Sequence, residues 1–584
     1  MDVSKLTEND LLGVPIPHSQ HAISVSFPTW AISIGYKERD LAVLDRLKSG
    51  YPRYWIHHSV RTLSYYLEQK YAEPNERSLL FRSSYAANEC VKFMARRDAP
   101  ARVLEKHCLQ GRPGSELFVV FFDLSHWSVA KQFWQHTGFG CTTRLAIYHL
   151  NLLGIKEGPE PPVHHVDWNI PADDLALAGS PEDKSPPLPA DEAKFATKKR
   201  IANLLDIEAD DVYLHTGGMN AIWSAHHLCM GAISDKRKSI CFGFPYVDTL
   251  KVIEKWGPGA YFYPDGGDNF VDELEKQLEE LQAADPSQPP ILALYTEIPS
   301  NPLLRSVNLP RLRKLADKYG FLIVVDDTLG NFANLQIMHL VDIVVTSLSK
   351  LFGGMANVMG GNLSLNPAGR YYSQLKGWMK ENYQDVYFDE DAIVMEYNSR
   401  DFVHRSNVIN GNAEAVCDYL KTASSTIAEV YYPKWQVPEN YTACLRKTPP
   451  KEAADAIPEP GYGGLFSVLF TSIAAAQGFY DALNCAKGPS LGTNFTLSCP
   501  YAIIAHYYEL DWAKDHGVPL QFVRVSVGLE SREELMEMFT RAVEAGEKAH
   551  AQYAPEPVPE AVWRRGIPEP PTPVAYARSS AGWE

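Results

Sequence analysis

A buried strand that ends in serines and a lysine constrains this chain more than any other stretch. Residues 342–350 read DIVVTSLSK, and the run 343–346 predicts a strand that is covered on both faces. Ser347, Ser349 and Lys350 follow. A lysine here is costly to bury unpaired unless chemistry uses it, for example as an imine with an aldehyde cofactor whose phosphate the serines hold. The alternative is an ordinary strand-to-loop junction with a solvated lysine.

The preceding 150 residues alternate between helix and strand patterns. The strands are nearly all apolar and β-branched, which predicts an α/β fold with a mostly parallel sheet covered on both faces. Ligands of such folds bind beyond the carboxyl ends of the strands, so the residues after each strand are candidate site residues. The predicted elements are helices 195–205, 221–230, 272–283 and 309–319, and strands 211–216, 239–244, 291–295, 321–325 and 343–346.

Polar or aromatic features lie at the end of each predicted strand. Gly218 and Met219 open a helix after the first strand, where bare backbone amides and the helix dipole suit a phosphate. Phe242 lies within the second strand and could stack on an aromatic ring. Asp326 and Asp327 follow the fourth strand, and a carboxylate there could hold a ring nitrogen protonated. A G-x-G-x-x-G fingerprint is missing, which disfavours an NAD-dependent dehydrogenase.

The first 193 residues are read as an N-terminal arm plus an inserted region. Pro52 places Tyr51 and Arg53 two apart in an extended segment, where both side chains could clamp a phosphate. The arm is expected to be irregular apart from a short helix at 41–47. Further predictions are a helical stretch at 62–110, a strand at 117–122 and a long exposed loop at 156–193.

Length and charge narrow the functional class. A chain of 584 residues predicts two or three domains, drawn here as 1–193, 194–400, 401–552 and a flexible tail at 553–584. The C-terminal domain is expected to be smaller and α+β, with helices 412–422 and 532–551 and strands 465–470 and 522–527. The net charge of −16 argues against nucleic acid, and no apolar segment reaches a membrane span of about 18 residues. Nine cysteines without CxxC spacing predict neither disulfides nor a metal site, so we expect a cytoplasmic enzyme.

Together these motifs resemble the cystathionine γ-synthase and γ-lyase family of fold type I pyridoxal 5′-phosphate enzymes. Long fungal cystathionine γ-synthases look most similar. The motifs are spread from residue 51 to residue 530 and keep the family's order, which makes them more specific than any single one. They are YPR at 51–53, GGMNAI at 217–222, EIPSNP at 297–302, VDDT at 325–328, SLSK at 347–350, SLG at 490–492 and RVSVGLE at 524–530.

The resemblance implies a role for each candidate residue. Lys350 would bind the cofactor and move protons, Asp326 would pair with the pyridinium nitrogen, and Arg524 would bind the substrate carboxylate with help from Ser490. Phe242 falls where the family has a ring-stacking tyrosine. The remaining cofactor contacts would be Asn301 to the ring hydroxyl, Gly218, Met219, Ser347 and Ser349 to the phosphate, and Tyr51 and Arg53 to the phosphate from the neighbouring subunit.

The implied reaction is γ-replacement on an O-activated L-homoserine, with O-acetylhomoserine as the favoured donor, by a thiol such as L-cysteine. The protein would be a homodimer or homotetramer with shared active sites. The alternatives are a paralogue that uses another nucleophile or performs β/γ-elimination, and a non-catalytic regulator. Three departures bear on the choice: Asp327 replaces the usual Asn, residues 353–357 make a more apolar wall, and residues 62–193 have no counterpart in compact members and no assigned chemistry.

Overall fold

Four β-sheets organise the computed structural model, which describes residues 8–104, 109, 111–155, 185–234, 236–450 and 458–552. The strands are β1 (Pro15–Ile16), β2 (Ser24–Val25), β3 (Glu76–Phe81), β4 (Ala101–Val103), β5 (Phe118–Asp123), β6 (Val212–His215), β7 (Ser239–Phe242), β8 (Ala260–Tyr263), β9 (Ala293–Glu297), β10 (Leu322–Asp326), β11 (Ile343–Ser347), β12 (Gly361–Leu365), β13 (Ile427–Tyr431), β14 (Leu465–Phe470), β15 (Ala486–Lys487), β16 (Leu497–Pro500) and β17 (Phe522–Ser526).

The largest sheet has seven strands in the order β6-β12-β11-β10-β9-β7-β8. Every pairing is parallel except the two made by β12, which runs antiparallel to β11 and β6. Both faces are covered: on β10, Ile323 and Val325 pack into one apolar core, and Leu322 and Val324 pack into the other. The predicted parallel α/β sheet is confirmed, with β8 and β12 as two strands that the sequence pattern had not revealed.

Helices surround this sheet and supply the two cores. The four predicted helices are confirmed, and three of them are longer than expected. Leu309–Tyr319 matches its prediction because its ends are marked by Asn308, which caps the first turn, and by Gly320, which adopts φ +77°. The helices of this part of the chain are Ala190–Leu205, Gly218–Ala232, Val247–Lys255, Asp268–Ala284, Leu309–Tyr319, Tyr372–Asn382 and Asp389–Asn398.

A five-stranded sheet follows in the order β13-β14-β17-β16-β15, antiparallel except for the β15–β16 pair. The predicted strands and helices of this part are confirmed. Its helices are Phe402–Ala423, Pro438–Cys444, Ile473–Ala482, Tyr501–His506, Leu510–Asp515 and Arg532–Gln552. The predicted flexible tail at 553–584 lies outside the described residues.

The inserted region forms a three-stranded antiparallel sheet, β3-β5-β4, with the helices His58–Tyr71, Ser84–Ala95, Trp127–Thr137 and Thr143–Leu152. The predicted strand at 117–122 is confirmed. The prediction that residues 62–110 are helical is wrong for β3 and β4. Residues 78–81 of β3 are all buried, so the strand lacks the polar–apolar alternation that would mark it. Of the predicted loop, residues 156–184 lie outside the described part, and a helix begins at Ala190.

The N-terminal arm is more ordered than its sequence suggests. It contains the β1–β2 hairpin and the helices Glu8–Leu11, Trp30–Glu38 and Leu41–Leu44. The arm is tied to the five-stranded part, because the backbone N–H of Phe27 donates to the Lys487 carbonyl at 2.8 Å and the Tyr480 hydroxyl donates to the Phe27 carbonyl at 2.8 Å. This attachment brings the end of the arm to the carboxyl edge of the large sheet. No helix in the described part of the chain is long and apolar enough to cross a membrane.

Candidate active site

Lys350 stands in a turn just beyond β11, at the floor of a cavity along the carboxyl edge of the large sheet. Its side chain is buried, and Nζ donates to the Tyr51 hydroxyl and to the Ser490 hydroxyl, each at 3.1 Å. The turn is held from behind by the buried Arg405, whose guanidinium donates to the carbonyls of Leu351 and Phe352 at 2.9 Å. The amine therefore has a fixed position between two hydroxyl groups.

The Tyr51 hydroxyl is tuned by this arrangement. Burial alone raises the pKa of Tyr51, but the positive charges of Lys350 and Arg53 and hydrogen bonds with Lys350 and Tyr246 outweigh it, so the net pKa lies below the ordinary value. A phenol with a lowered pKa beside an amine is equipped to exchange a proton with that amine.

The first turn of the helix Gly218–Ala232 faces the same cavity. A Cβ atom on Gly218 would lie 2.7 Å from the Cβ of Ser347, so only glycine lets the helix approach the end of β11 this closely. Gly218, Met219 and Ser347 all line the cavity. The exposed amides of a helix N-terminus favour an anion there.

Arg53 lies near this helix end and has unused hydrogen-bonding capacity. One nitrogen, Nη2, forms a short ion pair with Asp248, and the guanidinium sits 5.1 Å from the centroid of the Tyr246 ring. The other two nitrogens, Nε and Nη1, are buried without a hydrogen-bond partner among the described residues. Buried, unsatisfied donors on a cation mark a place where an anionic group can bind.

Two adjacent carboxylates after β10 have different surroundings. Asp326 lines the cavity and accepts hydrogen bonds from the N–H of Thr328 at 2.9 Å and from its hydroxyl at 2.5 Å. Asp327 is fully buried on the other side, where Oδ2 accepts from the N–H of Phe332 at 2.9 Å, and burial raises its pKa well above the ordinary value. Asp326 is therefore the carboxylate that a cavity ligand can reach.

Glu297 is another carboxyl group in the cavity wall. Burial raises the pKa of Glu297 well above its ordinary range, and the negative charge of Asp326 raises it further. Burial also raises the pKa of Asp326, although the hydrogen bonds from Thr328 oppose that shift. Burial is thus the main cause of both shifts, and the hydrogen bonds from Thr328 favour the ionised form of Asp326.

Arg524 projects from β17 into the cavity opposite the sheet edge. Its Nη1 donates to the Asn301 side-chain carbonyl at 3.1 Å, and its Nη2 donates to the backbone carbonyl of Ser490 at 2.7 Å. The Tyr501 ring supports the guanidinium, with 5.0 Å between the carbon and the ring centroid. These contacts present a planar cation within the same cavity as Lys350, as binding of a carboxylate requires.

Sequence comparisons agree with this geometry. Residues 199–544 match the family model described as Cys/Met metabolism PLP-dependent enzyme, and residues 59–142 match the one described as fungal trans-sulfuration enzyme, N-terminal domain. The chain belongs to the Cys/Met metabolism family of PLP-dependent enzymes. Its cofactor is accordingly pyridoxal 5′-phosphate, and the expected resemblance to cystathionine γ-synthases is confirmed.

Several relatives of this PLP-dependent enzyme span nearly the whole chain. Cystathionine gamma-synthase-like enzyme iboG2 of Amanita muscaria is 43% identical and covers 94% of this chain and 99% of its own. Cystathionine gamma-synthase of Neurospora crassa is 36% identical, covering 93% and 99%. Alanine racemase ungC of Aspergillus violaceofuscus is 31% identical, covering 91% and 96%. Relatives at this level of identity thus carry the names of different reactions.

A solved structure shares the fold. Cystathionine gamma synthase from Xanthomonas oryzae pv. oryzae, in complex with aminoacrylate and cysteine, superposes with a TM-score of 0.50. The match covers 61% of this chain and 87% of that chain at 21% identity. The expected fold type I architecture is confirmed by this likeness and by the family match.

The cavity fits pyridoxal 5′-phosphate on three independent observations. The unpartnered nitrogens of Arg53 and the close approach at Gly218 suit the phosphate group. Lys350 is a buried amine beside them, and Asp326 is the reachable carboxylate for the ring nitrogen. Within the described residues, no cluster of His, Cys, Asp or Glu could hold a metal ion.

Two of the predicted cofactor contacts lie elsewhere. Phe242 is buried in the core on one face of the sheet, where its ring packs 5.5 Å from that of Tyr263, and the aromatic residue that lines the cavity here is Tyr246. The Ser349 hydroxyl points to Gly360, accepting from its N–H at 2.9 Å. Ten of the twelve predicted residues do meet around the cavity: Tyr51, Arg53, Gly218, Met219, Asn301, Asp326, Ser347, Lys350, Ser490 and Arg524.

Tyr51 and Arg53 reach the cavity within a single chain, where the chain's own Tyr51 contacts its own Lys350. Their contribution from a neighbouring subunit stays a prediction. The apolar wall expected from residues 353–357 is also only partly at the cavity. Met355 contacts Asn494 and Ala356 packs against the N-terminal arm, so Asn357, Val358 and Met359 line the cavity instead. The homodimer or homotetramer and the cytoplasmic location stay predictions.

The inserted region is part of the active-site wall, although its sequence carried no assigned chemistry. Trp134 and Gly138 come from one of its helices and the turn that follows, and residues 140–144 continue the wall to the start of the next helix. Sequence reasoning missed these residues because no local motif marks them. Their contact with the cavity depends on how the three-stranded sheet packs against the large sheet.

Proposed function

We propose that this enzyme catalyses γ-replacement on an O-activated L-homoserine, with O-acetyl-L-homoserine as the donor and a thiol such as L-cysteine as the acceptor, giving cystathionine. The observation that carries the proposal is the pairing of Lys350 with Tyr51 and Ser490 in a cavity that also contains Arg524. γ-Replacement needs a base that can remove protons from two successive carbons, and it needs a fixed substrate carboxylate.

Bound pyridoxal 5′-phosphate would supply an electron sink for negative charge at the substrate α-carbon. Asp326 would hold the ring nitrogen protonated, since a neighbouring negative charge favours the protonated form of that nitrogen. The Arg53 guanidinium and the amides at Gly218 would hold the phosphate.

The residues around Lys350 would handle the protons. Arg524 would bind the donor α-carboxylate and so fix the α-carbon near Nζ of Lys350, which removes the α-proton and then a β-proton. Tyr51, whose pKa is lowered, would take a proton from Lys350 and return it, so that one amine can act twice. Ser490 lies 3.1 Å from Nζ and would keep the amine directed at the substrate. Loss of acetate breaks the bond between the γ-carbon and oxygen. The thiol sulfur would then bond to the γ-carbon and give up its proton, and Lys350 would return one proton to the β-carbon and one to the α-carbon.

The second candidate is a reaction of the same cofactor with another outcome, such as β/γ-elimination or substitution by another nucleophile. The range of reaction names among full-length relatives favours keeping it. Purified holoenzyme should be incubated with O-acetyl-L-homoserine, with and without L-cysteine, and the products quantified. Cystathionine in stoichiometric amounts with acetate supports γ-replacement. Acetate with 2-oxobutyrate and no cystathionine supports elimination, and an untouched donor refutes both.

A matched variant excludes a non-catalytic role. Lys350→Ala should lose the visible absorbance of the bound cofactor and all turnover. Arg237→Gln is a suitable control, because Arg237 pairs with Asp285 at a partly exposed site outside the residues that line the cavity. If Lys350→Ala kept both the absorbance and the turnover, the proposed role of the lysine would be wrong.

A further inference from the structure

The cavity wall contains an arginine–carboxylate ion pair that the proposed reaction does not use. Arg144, in the first turn of the inserted helix Thr143–Leu152, donates from Nη1 to the Asn357 carbonyl at 2.9 Å and to Oδ1 of Asp391 at 3.0 Å. Arg144, Asn357 and Asp391 all line the cavity that contains Lys350. The pair therefore joins the inserted region to the helix Asp389–Asn398 at the active-site wall.

One oxygen of this pair has no partner. The Asp391 side chain is 2% exposed, and its Oδ2 is buried without a hydrogen bond from any described residue. A buried carboxylate oxygen without a hydrogen bond is costly to fold, so its retention beside a cavity indicates a ligand donor. Both hydrogen bonds of Arg144 start from Nη1, and within the described part of the chain Nε and Nη2 stay available to bind a ligand.

The pair is connected to the catalytic lysine through a continuous wall. Asn357, Val358 and Met359 follow Lys350 along the chain and line the same cavity. Met359 is held near the lysine turn, because its sulfur lies 3.7 Å from the Ser349 hydroxyl. On the other side, the Asn398 side chain donates to the Asn357 side-chain carbonyl at 2.9 Å and fixes the segment that Arg144 contacts.

The number of cations in the cavity supports an assignment. Among the described residues that line it, the arginines are Arg53, Arg144 and Arg524. A reaction between two amino acids on pyridoxal phosphate presents three anions: the phosphate, the donor carboxylate and the acceptor carboxylate. Arg53 and Arg524 account for the first two under the proposed function. Arg144 is then the cation for the third.

We propose that Arg144 and Asp391 form the subsite for the second substrate, a zwitterionic amino acid whose carboxylate binds Arg144 and whose ammonium group binds Asp391. The inference rests on the proposed function and specifies which part of the cavity selects the nucleophile. It gives the inserted region a role in substrate specificity.

Kinetics with matched variants test the subsite. Arg144→Gln should raise the KM for L-cysteine about 10- to 100-fold, while the KM for O-acetyl-L-homoserine stays within about twofold. Arg112→Gln is the control: Arg112 is also an inserted-region arginine that pairs with the same helix, at 2.5 Å from Glu390, but it is 45% exposed and lies outside the cavity lining. Arg112→Gln should behave like the wild type.

Thiols that lack one charged group show whether Arg144 and Asp391 bind the acceptor or only stabilise the fold. Cysteamine lacks the carboxylate and 3-mercaptopropionate lacks the ammonium group. Arg144→Gln should therefore lose nothing with cysteamine, and Asp391→Asn should lose nothing with 3-mercaptopropionate. If either variant lowers the rate equally with every thiol, the pair only holds the fold together and the subsite is wrong.

Direct binding distinguishes failure of this inference from failure of the proposed function. Calorimetry of 3-mercaptopropionate with the holoenzyme should show about 10-fold or weaker binding in Arg144→Gln and unchanged binding in Arg112→Gln. Unchanged binding in Arg144→Gln overturns the subsite. If the binding pattern holds but the wild type makes no product from O-acetyl-L-homoserine, the proposed reaction is wrong and the subsite stands.

Discussion

Substitution of Arg53 by Gln offers the sharpest test of how the cavity holds its cofactor. The two unpartnered nitrogens, Nε and Nη1, are expected to donate to the cofactor phosphate. Hydrogen bonds to charged groups contribute about 1.5–3 kcal/mol each, so even the lower value predicts a loss of about 3 kcal/mol. That corresponds to a dissociation constant for pyridoxal phosphate that is roughly 150-fold weaker.

The same loss should appear as reduced stabilisation by the cofactor. At a cofactor concentration about 1,000 times the wild-type dissociation constant, binding adds about 4.1 kcal/mol to the free energy of unfolding. With 150-fold weaker binding, the same concentration adds only about 1.2 kcal/mol. Absorbance titration of the stripped enzyme gives the dissociation constant, and thermal unfolding with and without cofactor gives the difference in stability.

Asp248→Asn provides the matched control, because Asp248 is the ion-pair partner of Arg53. Breaking a buried ion pair destabilises a protein by about 3–5 kcal/mol with or without a ligand. We therefore expect this variant to be less stable in both forms, while the stabilisation by cofactor changes by less than about 1 kcal/mol. If Arg53→Gln keeps the wild-type dissociation constant, the phosphate binds elsewhere and the proposed cradle is wrong.

Three further predictions follow from the pKa shifts. Asp326→Asn should reduce kcat by more than about 100-fold, whereas Asp327→Asn should keep most of the activity because Asp327 lies outside the residues that line the cavity. The reverse order would reassign the ring partner. Tyr51→Phe should remove an ionisation below pH 10 from the pH profile of kcat, and an unchanged profile would exclude a proton role for Tyr51. Burial, with a smaller contribution from a neighbouring histidine, lowers the pKa of His226 to about 3. Its unfolded form therefore binds the extra proton as the pH falls below about 6.5, and stability is lost between there and about 3. His226→Gln should reduce the loss of unfolding free energy by about 1.4 kcal/mol per pH unit. Denaturant unfolding at pH 5 and pH 6 measures that loss, and an equal loss in the wild type and the variant would contradict the shift.

The features that sequence could predict are those set by neighbours in the chain. Each parallel strand carries its own apolar run, and the residues that follow it come to the same sheet edge in any fold of this class. Asp326 and Lys350 reach the cavity for that reason. Phe242 was assigned wrongly because it ends a strand whose side chains alternate between the two faces of the sheet. The Phe242 ring packs in the core, and the aromatic residue that lines the cavity is Tyr246, four positions further along the chain.

Other features depend on packing between distant segments, and no local pattern records them. The buried strand β3 has no alternation, so it was read as helix. The Arg144–Asp391 pair joins residues 247 positions apart, and neither residue lies in a motif. The sequence could have signalled it only as an arginine and a threonine at a helix start, which is a common surface pattern.

The inserted region and the N-terminal arm act on the active site together. Gln135, on the inserted helix Trp127–Thr137, donates its side-chain amide to the backbone carbonyl of Arg53 at 2.9 Å. This contact fixes the segment that also carries Tyr51, so the same chain can supply both residues to its own Lys350. Because the insertion also provides Arg144, the proposed phosphate clamp and the proposed acceptor subsite both depend on this one structural addition. A change of acceptor among related enzymes could then arise from the insertion while the catalytic groups on the large sheet stay the same.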